Sequence, residues 1–379
     1  MTTSAIPDLG RPVMVNGLRR VWGSGLVPLV TNFRAVRMAG REVKLAGTAL
    51  DMVLDSRAMS LADVGDDFGR HSKFERGIKA LSDRYGLVSI MAPWNAALKQ
   101  WAGTVSSTRI LEEATSWRAG TIKGANKEYL AMLGIDASRA DKIAAMFDEF
   151  GERHGEVWIA NTERWTDRDA LRSFRAALAK DVDRTIVTPG VGDRPLWMSK
   201  EWGKTVGQFK SFVVASAQRV LLSGLQQRDM ATLNGAMLMV GLGMGVTAYK
   251  NWEAGREQPE DLGEWIANGV DRSGLTGWFF DVNNIAEKAT RGAVGLSALT
   301  GNGPMSRYAN RNTAGAIVGP TAGAAKDMFS VTGALATGDW WESDVHALRR
   351  LLPYQNLFYA RWLFDEAEAG LNETLGAKQ

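Results

Sequence analysis

The sequence contains no cysteine. This absence excludes disulfide bonds, thiolate metal sites, iron–sulfur clusters and cysteine nucleophiles from this chain. Histidine is nearly as scarce, because only His71, His154 and His346 are present and they lie far apart. Zinc sites need paired ligands at short spacing, so these isolated histidines indicate ordinary imidazoles, and we expect neither a metal nor a cofactor.

A strong charge imbalance is also missing. The 379 residues carry 45 Lys and Arg against 42 Asp and Glu, a formal net charge of +3. Such a balance is not typical of a nucleic-acid packaging protein, although local basic stripes remain compatible with it. No positively charged region followed by an apolar stretch begins the sequence, so we expect no signal peptide and synthesis in a cytoplasm-like compartment.

Catalytic motifs are incomplete. Gly203-Lys204-Thr205 matches the end of a phosphate-binding loop, but Met198 stands where its first glycine is required. Glu342-Ser343 matches a dipeptide found at the acid of lytic transglycosylases, yet the downstream Gly-Leu-Met-Gln segment is missing. We therefore expect no enzymatic activity, and a cell-wall hydrolase using Glu342 is the least favoured alternative.

Apolar periodicity predicts an all-α fold, a multi-helix assembly with a central apolar helical hairpin and a Gly/Trp-rich C-terminal part. Ser138 and Thr166 each precede a carboxylate by three residues and are predicted helix N-caps. The predicted helices cover residues 104–119, 125–150, 166–184 and 200–225, and a helical pattern over 344–372 is interrupted by Pro353. The predicted regions are 1–150, 151–289 with the hairpin at about 200–250, and 290–379, of which 290–338 is rich in small residues.

Residues 230–249 give the strongest physical signal, because this stretch contains no charge. Twenty helical residues span about 30 Å, the thickness of a bilayer hydrocarbon core. Gly241 and Gly245 are four residues apart, the small-xxx-small spacing of close helix packing in membranes. A buried core helix of a soluble bundle is the alternative. The candidate membrane or helix-packing residues are Leu233, Met237, Val240, Gly241, Leu242, Gly245 and Val246.

Two basic stripes follow helical spacing and are candidate contacts for anions, either DNA phosphates or lipid headgroups. The first contains Arg34, Arg37, Arg41 and Lys44. The second contains Arg164, Arg168, Arg172 and Arg175, next to acidic neighbours. An ion-paired, solvated helix face is the more ordinary interpretation of both stripes.

Several segments resemble the C-terminal region of large internal virion proteins of tailed bacteriophages, also called ejection or pilot proteins, which are sometimes parts of long polyvalent chains. The resemblance covers roughly residues 150–379. It rests on 158–161 (WIAN) with Arg164-Trp165, on 207–212 (GQFKSF), 218–222 (QRVLL) and Arg228-Asp229, and on 352–361 (LPYQNLFYAR).

The resemblance implies a protein stored inside the virion and released into the host envelope, at the periplasm or inner membrane, to assist genome delivery after synthesis in a bacterial cytoplasm. It also implies, as partners, other internal virion, portal or tail proteins, the host inner membrane, phage DNA and further copies of the chain in a homo-oligomer. A soluble capsid-internal scaffold or core protein that contacts DNA or the portal is the alternative.

Overall fold

The computed structural model describes residues 2–47, 90–186, 230–253, 255–275, 320–352, 354–355, 357 and 359–378, with isolated positions 283, 286, 287, 290 and 294. Helices dominate this part of the chain, so the predicted all-α class is confirmed. The predicted helix over 200–225, one arm of the central hairpin, lies outside the described residues.

The N-terminal part is a chain of short helices. It contains a 3-10 helix Thr2–Gly10, α1 (Arg11–Asn16), α2 (Leu18–Arg20), a π-helical segment Val21–Leu26, α3 (Val27–Thr31) and α4 (Phe33–Leu45). Asn32 caps α4, because its side-chain oxygen accepts a hydrogen bond from the Ala35 amide at 3.2 Å. Pro12 and Pro28 stand in the first turns of α1 and α3, where a missing N–H costs nothing.

The middle part forms a bundle around one long helix. It contains α5 (Met91–Arg118), α6 (Gly124–Met132), α7 (Ala137–Phe150), strands β1 (Glu152–His154) and β2 (Val157–Ile159), a 3-10 turn Thr162–Arg164 and α8 (Arg168–Thr185). Helices α4, α7 and α8 pack against α5. The core is built from large side chains of these helices and of the segment before α8, including Ile110, Leu111, Leu130, Ile143, Phe147, Trp165, Phe174 and Leu178. Residues on both sides of position 150 therefore share one core.

The structure divides the predicted helical range 125–150 into α6 and α7, and α7 begins at Ala137, next to the helix start predicted at Ser138. Gly134 lies between them with a φ of +88°, a backbone conformation that favours glycine. The Gly134 amide bonds to the Ala131 carbonyl and the Ile135 amide to the Leu130 carbonyl, a C-terminal capping pattern that satisfies the last carbonyls of α6.

Both predicted N-caps are displaced. Asp136, not Ser138, caps α7 by accepting a hydrogen bond from the Arg139 amide at 2.9 Å. Asp167, not Thr166, caps α8 by accepting from the amides of Asp169 and Ala170. An aspartate precedes the first turn in each case and competes effectively with serine or threonine for this role.

A short β-hairpin interrupts the helical structure between α7 and α8. Strands β1 and β2 pair antiparallel, with Arg153 opposite Trp158. Gly155 makes the turn with a φ of +62°. The Trp158 ring stacks on Phe147 with 4.9 Å between ring centroids, so the hairpin closes one side of the α5–α8 core.

Helices α9 (Met230–Glu253) and α10 (Leu262–Ser273) pack against each other, and α9 also packs on the Thr2–Gly10 helix and α1. Asp261 caps α10 through the Gly263 and Glu264 amides, and Gly274 ends it with a φ of +70°. The N-terminal residues therefore connect the α5–α8 bundle to the α9–α10 pair.

The C-terminal part contains α11 (Pro320–Thr337), α12 (Glu342–Leu351) and α13 (Arg361–Leu375). Helix α12 packs on both of the others. It ends two residues before Pro353, in agreement with the predicted interruption. The Arg361 guanidinium lies 3.7 Å from the Glu253 carboxylate, which links α13 to the end of α9.

A buried polar contact inside the bundle yields a stability prediction. The Tyr129 hydroxyl donates to the Asp181 carboxylate at 3.0 Å, and both residues are buried. Burial and the neighbouring Asp181 charge raise the pKa of Tyr129 well above its usual range, so the hydroxyl stays protonated as a donor. We expect Tyr129→Phe to lower the free energy of unfolding by about 1–3 kcal/mol, because Asp181 loses its donor without access to water. Urea unfolding measures this loss, and an unchanged midpoint would show that the contact contributes nothing.

An ion-pair cluster joins α12 to α13 and yields a pH prediction. Glu368 receives hydrogen bonds from Arg349 and from His346, the latter at 2.8 Å. Burial opposes ionisation of the Glu368 carboxyl, but these two bonds outweigh it and lower the pKa of Glu368. Because the folded state favours the carboxylate, the stabilisation is complete above the ordinary glutamate pKa and is lost as pH falls through the lowered pKa.

Hydrogen exchange of α13 amides between pH 6 and pH 3 checks this prediction. We expect protection of α13 in the wild type to fall more than in Glu368→Gln, which has no carboxylate to titrate. Equal pH dependence of the two proteins would contradict it.

Candidate functional site

The outward side of α9 is an uncharged face of a helix that is long and apolar enough to cross a membrane. Only 28% of its most apolar 18-residue window is buried. A core helix of a soluble bundle is mostly buried, so the structure differs from the core-helix alternative in this respect. The exposed residues of this α9 outer face are Met230, Leu233, Met237, Leu238, Gly241, Gly245, Tyr249 and Trp252.

The opposite side of α9 is buried against the rest of the protein. Gly235, Met239, Gly243 and Thr247 are buried and recur every four residues, which places them on one side of the helix. A Cβ at Gly235 would collide with the Met14 backbone, and a Cβ at Gly243 would collide with the carbonyl oxygen of Gly269. Two glycines thus allow α1 and α10 to approach α9 at backbone distance.

The glycines predicted from their spacing to pack closely, Gly241 and Gly245, are not the glycines of α9 that contact other helices. A Cβ at Gly241 or Gly245 would meet no atom within 4 Å among the described residues, so neither glycine makes a close helix contact with that part of the chain. Among the other candidate residues, Val246 is buried, Val240 and Leu242 are half-buried, and Leu233 and Met237 are 50% and 63% exposed. The seven candidates therefore divide between the buried and outer sides of α9.

Aromatic and charged residues mark the C-terminal end of α9. Tyr249 and Trp252 pack at 6.1 Å between ring centroids, and Trp252 is 74% exposed. Lys250 and Glu253 are the first charged residues after the uncharged stretch. Amphipathic aromatic rings beside charged groups are typical of the boundary between hydrocarbon and water.

The first basic stripe occupies the outward side of α4. Arg34, Arg37, Arg41 and Lys44 are exposed, and the inward side buries Ala35, Ala39 and Val43. Arg41 pairs with Glu163 at 2.9 Å. Arg34, Arg37 and Lys44 have no ion pair with the residues that the structure describes, so this face can attract anions.

The second stripe does not form a continuous surface. Arg168 and Arg172 are exposed on α8, whereas Arg175 is half-buried and donates to the Thr162 hydroxyl at 3.1 Å. The same hydroxyl donates to the buried Glu42 carboxylate at 2.6 Å. Arg175 therefore belongs to a buried hydrogen-bond network that ties α8 to α4, away from any exposed anion-binding face.

A second exposed apolar surface was missed by sequence reasoning. Within residues 18–33, the π-helical segment Val21–Leu26 packs on α5, where Val21 and Gly25 lie against Val105 or Trp101. The other side is exposed and apolar, and we name it the N-terminal apolar face: Leu18, Trp22, Leu26, Val27, Leu29, Val30 and Phe33. Its four-residue spacing at 18, 22, 26 and 30 was the available signal, but Gly and Pro within the segment obscured the helical period.

Of the two catalytic motifs that the sequence suggested, Gly203-Lys204-Thr205 lies outside the described residues, and Glu342 is described. Glu342 begins α12 as an exposed residue, whereas a hydrolase acid needs a carboxyl held in an apolar pocket. Over the described parts of the chain, no group of three or more His, Asp or Glu side chains is arranged to hold a metal ion.

Comparisons with known proteins provide no relative. The chain matches no protein-family model, no curated protein and no solved structure.

Proposed function

We propose that this chain is a membrane-contacting helical protein and that the α9 outer face is its lipid-contacting surface. The observation that carries the proposal is the outward, uncharged side of a 24-residue helix. Exposed apolar area of this extent is unfavourable in water, at about 25 cal/mol for each Å². Contact with hydrocarbon removes that cost, while the helix satisfies its own backbone hydrogen bonds.

The glycines of α9 suit a helix that is exposed to water in one state and to a bilayer in another. Each exposed glycine lowers helix stability in water by about 1 kcal/mol relative to alanine. Gly241 and Gly245 make no close packing contact with the helices that the structure describes, so nothing there compensates this cost. In a bilayer, glycines at this spacing let a second helix approach closely, which would favour assembly of several copies.

The biological setting that we propose is genome delivery by a tailed phage, and it rests on the sequence resemblance. In this setting the chain is stored in the virion and moves to the host envelope with the genome. Its partners would be other internal virion or portal proteins and copies of itself. The role requires helix packing and lipid contact but no catalytic residue.

A second candidate function is a capsid-internal core protein that contacts DNA. The exposed basic face of α4 favours it, because Arg34, Arg37 and Lys44 are exposed without ion pairs to described residues. This alternative gives no role to the α9 outer face, so we rank it second.

Vesicle flotation with dye release tests the proposal. We expect the purified full chain to rise with phospholipid vesicles and to release an entrapped dye. Protein that remains at the bottom of the gradient with every lipid composition, while it retains duplex DNA, would overturn the membrane proposal and support the core protein.

The phage setting has a separate test, the protein composition of particles before and after genome release. We expect this chain to leave with the genome. Retention in the emptied shell would contradict a delivery role.

A further inference from the structure

The N-terminal apolar face combines exposed apolar side chains with a one-signed charge pattern. Val30 is 89% exposed, Phe33 66% and Trp22 60%. The stretch between Asp8 and Glu42 contains six arginines and no Asp or Glu. A group of large apolar side chains exposed in this way marks an interaction surface, and the charges that this segment itself contributes are all positive.

Three of these arginines are available to a partner. Arg11 is buried, Arg20 bonds to Glu112 and Glu113, and Arg41 pairs with Glu163. The remaining three are exposed and make no ion pair with described residues: Arg19, Arg34 and Arg37. They lie next to Leu18 and Phe33, the two ends of the apolar face.

A groove of about 1060 Å³ adjoins this face and connects it to α9. Leu18, Arg19 and Trp22 line one side, and Ala231 and Asn234 at the start of α9 line another. The carboxylates of Glu112 and Glu156 also line the groove; Glu112 bonds to Arg20, and Glu156 is exposed and lies beside Gly23. The N-terminal apolar face and the beginning of α9 are therefore neighbours.

We infer that the N-terminal apolar face is a docking surface for an anionic phospholipid bilayer. Interfacial segments bury their apolar side by about 5–10 Å at the boundary of headgroups and acyl chains. Trp22 and Phe33 would occupy this layer, and Arg19, Arg34 and Arg37 would contact lipid phosphates. Arginine suits that role because its guanidinium binds phosphate through paired hydrogen bonds.

Other occupants fit less well. A second copy related by two-fold symmetry would bring arginines against arginines, which disfavours association. Duplex DNA would match the arginines but would leave Val30 and Phe33 against charged phosphates. A lipid bilayer satisfies the charged and the apolar side chains together.

The inference rests on the proposed membrane role for its setting, but it concerns a different surface from α9. Docking through residues 18–37 predicts a preference for anionic over zwitterionic vesicles. In the proposed function, α9 is the helix that crosses or disturbs the bilayer. Binding and dye release are therefore separate readouts of the two surfaces.

Flotation of the full chain with phosphatidylglycerol-containing vesicles tests the inference. We expect Arg34→Gln with Arg37→Gln to weaken binding about 25-fold, about five-fold for each arginine. The matched control, Arg168→Gln with Arg172→Gln, removes the same charge from α8 and should change binding little. Val30→Asp, at a side chain with few contacts, should weaken binding on the order of ten-fold.

Each result decides between the two claims. If the Arg34/Arg37 variant and Val30→Asp both bind vesicles as strongly as the wild type, the docking inference is overturned, whether or not dye release persists. If the wild-type protein binds vesicles in a way that depends on Arg34 and Arg37 but releases no dye, the docking inference stands and the proposed role of α9 is refuted. Loss of duplex-DNA retention in the Arg34/Arg37 variant with unchanged vesicle binding would identify a nucleic-acid surface and overturn the inference.

Discussion

Replacement of Gly243 by leucine is expected to lower the free energy of unfolding by about 3 kcal/mol, the upper end of the usual cost of overpacking. The reason is that a side chain at this position meets the backbone carbonyl of Gly269, which cannot rotate away as a side chain would. Helices α9 and α10 would have to separate. Urea or thermal unfolding, followed by circular dichroism, measures the effect.

Gly241→Leu is the matched control, two residues away on the same helix. A Cβ at Gly241 meets no described atom within 4 Å, and leucine has a better helix propensity than glycine by about 0.8 kcal/mol. We therefore expect unchanged or slightly higher stability. Equal losses for Gly241→Leu and Gly243→Leu would contradict the orientation of α9.

Leu233→Lys combined with Met237→Lys is expected to reduce bilayer insertion at least a hundredfold. A change from an apolar residue to lysine costs about 3 kcal/mol at the centre of a membrane helix and less towards its ends, so Met237, near the middle of residues 230–249, accounts for most of the expected loss. Both side chains are exposed in water, so the free energy of unfolding should change by less than about 0.5 kcal/mol for each substitution. Dye release from vesicles measures the loss.

The control for this pair lies on α11. Met328→Lys with Phe329→Lys adds the same charge at side chains that are 60% and 78% exposed. We expect dye release to remain close to that of the wild type. Full dye release by the Leu233/Met237 variant would exclude these side chains from the lipid-contacting surface.

Much of the helical architecture follows from local sequence. The uncharged stretch of α9 is visible because it depends only on composition, and α8 is visible from its apolar period. The start of α7 was predicted to within two residues, but the end of α6 was not, because Gly134 reads equally well as a weak helix residue. The hairpin at 152–159 was missed because two strands of three residues are too short to show alternation.

The orientation of α9 was beyond prediction from spacing alone. Gly241 and Gly245 fit the small-xxx-small pattern, but Gly235 and Gly243 are the residues in backbone contact. Which glycines of α9 are in contact is determined by the packing of Met14 and Gly269, which lie outside α9 in the sequence. The N-terminal apolar face was likewise not predicted, because its exposure depends on which side of the segment Val21–Leu26 packs on α5.

Spin labels on single introduced cysteines give the most direct test of the α9 outer face, and the cysteine-free chain allows each label a unique position. The test positions are Met237→Cys and Gly241→Cys, and Gly333→Cys on α11 is the control. Once vesicles are bound, labels at the two test positions should collide freely with oxygen and be shielded from a water-soluble nickel chelate. The control label should stay accessible to the chelate. Chelate access at positions 237 and 241 equal to that at 333, in vesicle-bound protein, would contradict lipid contact by α9.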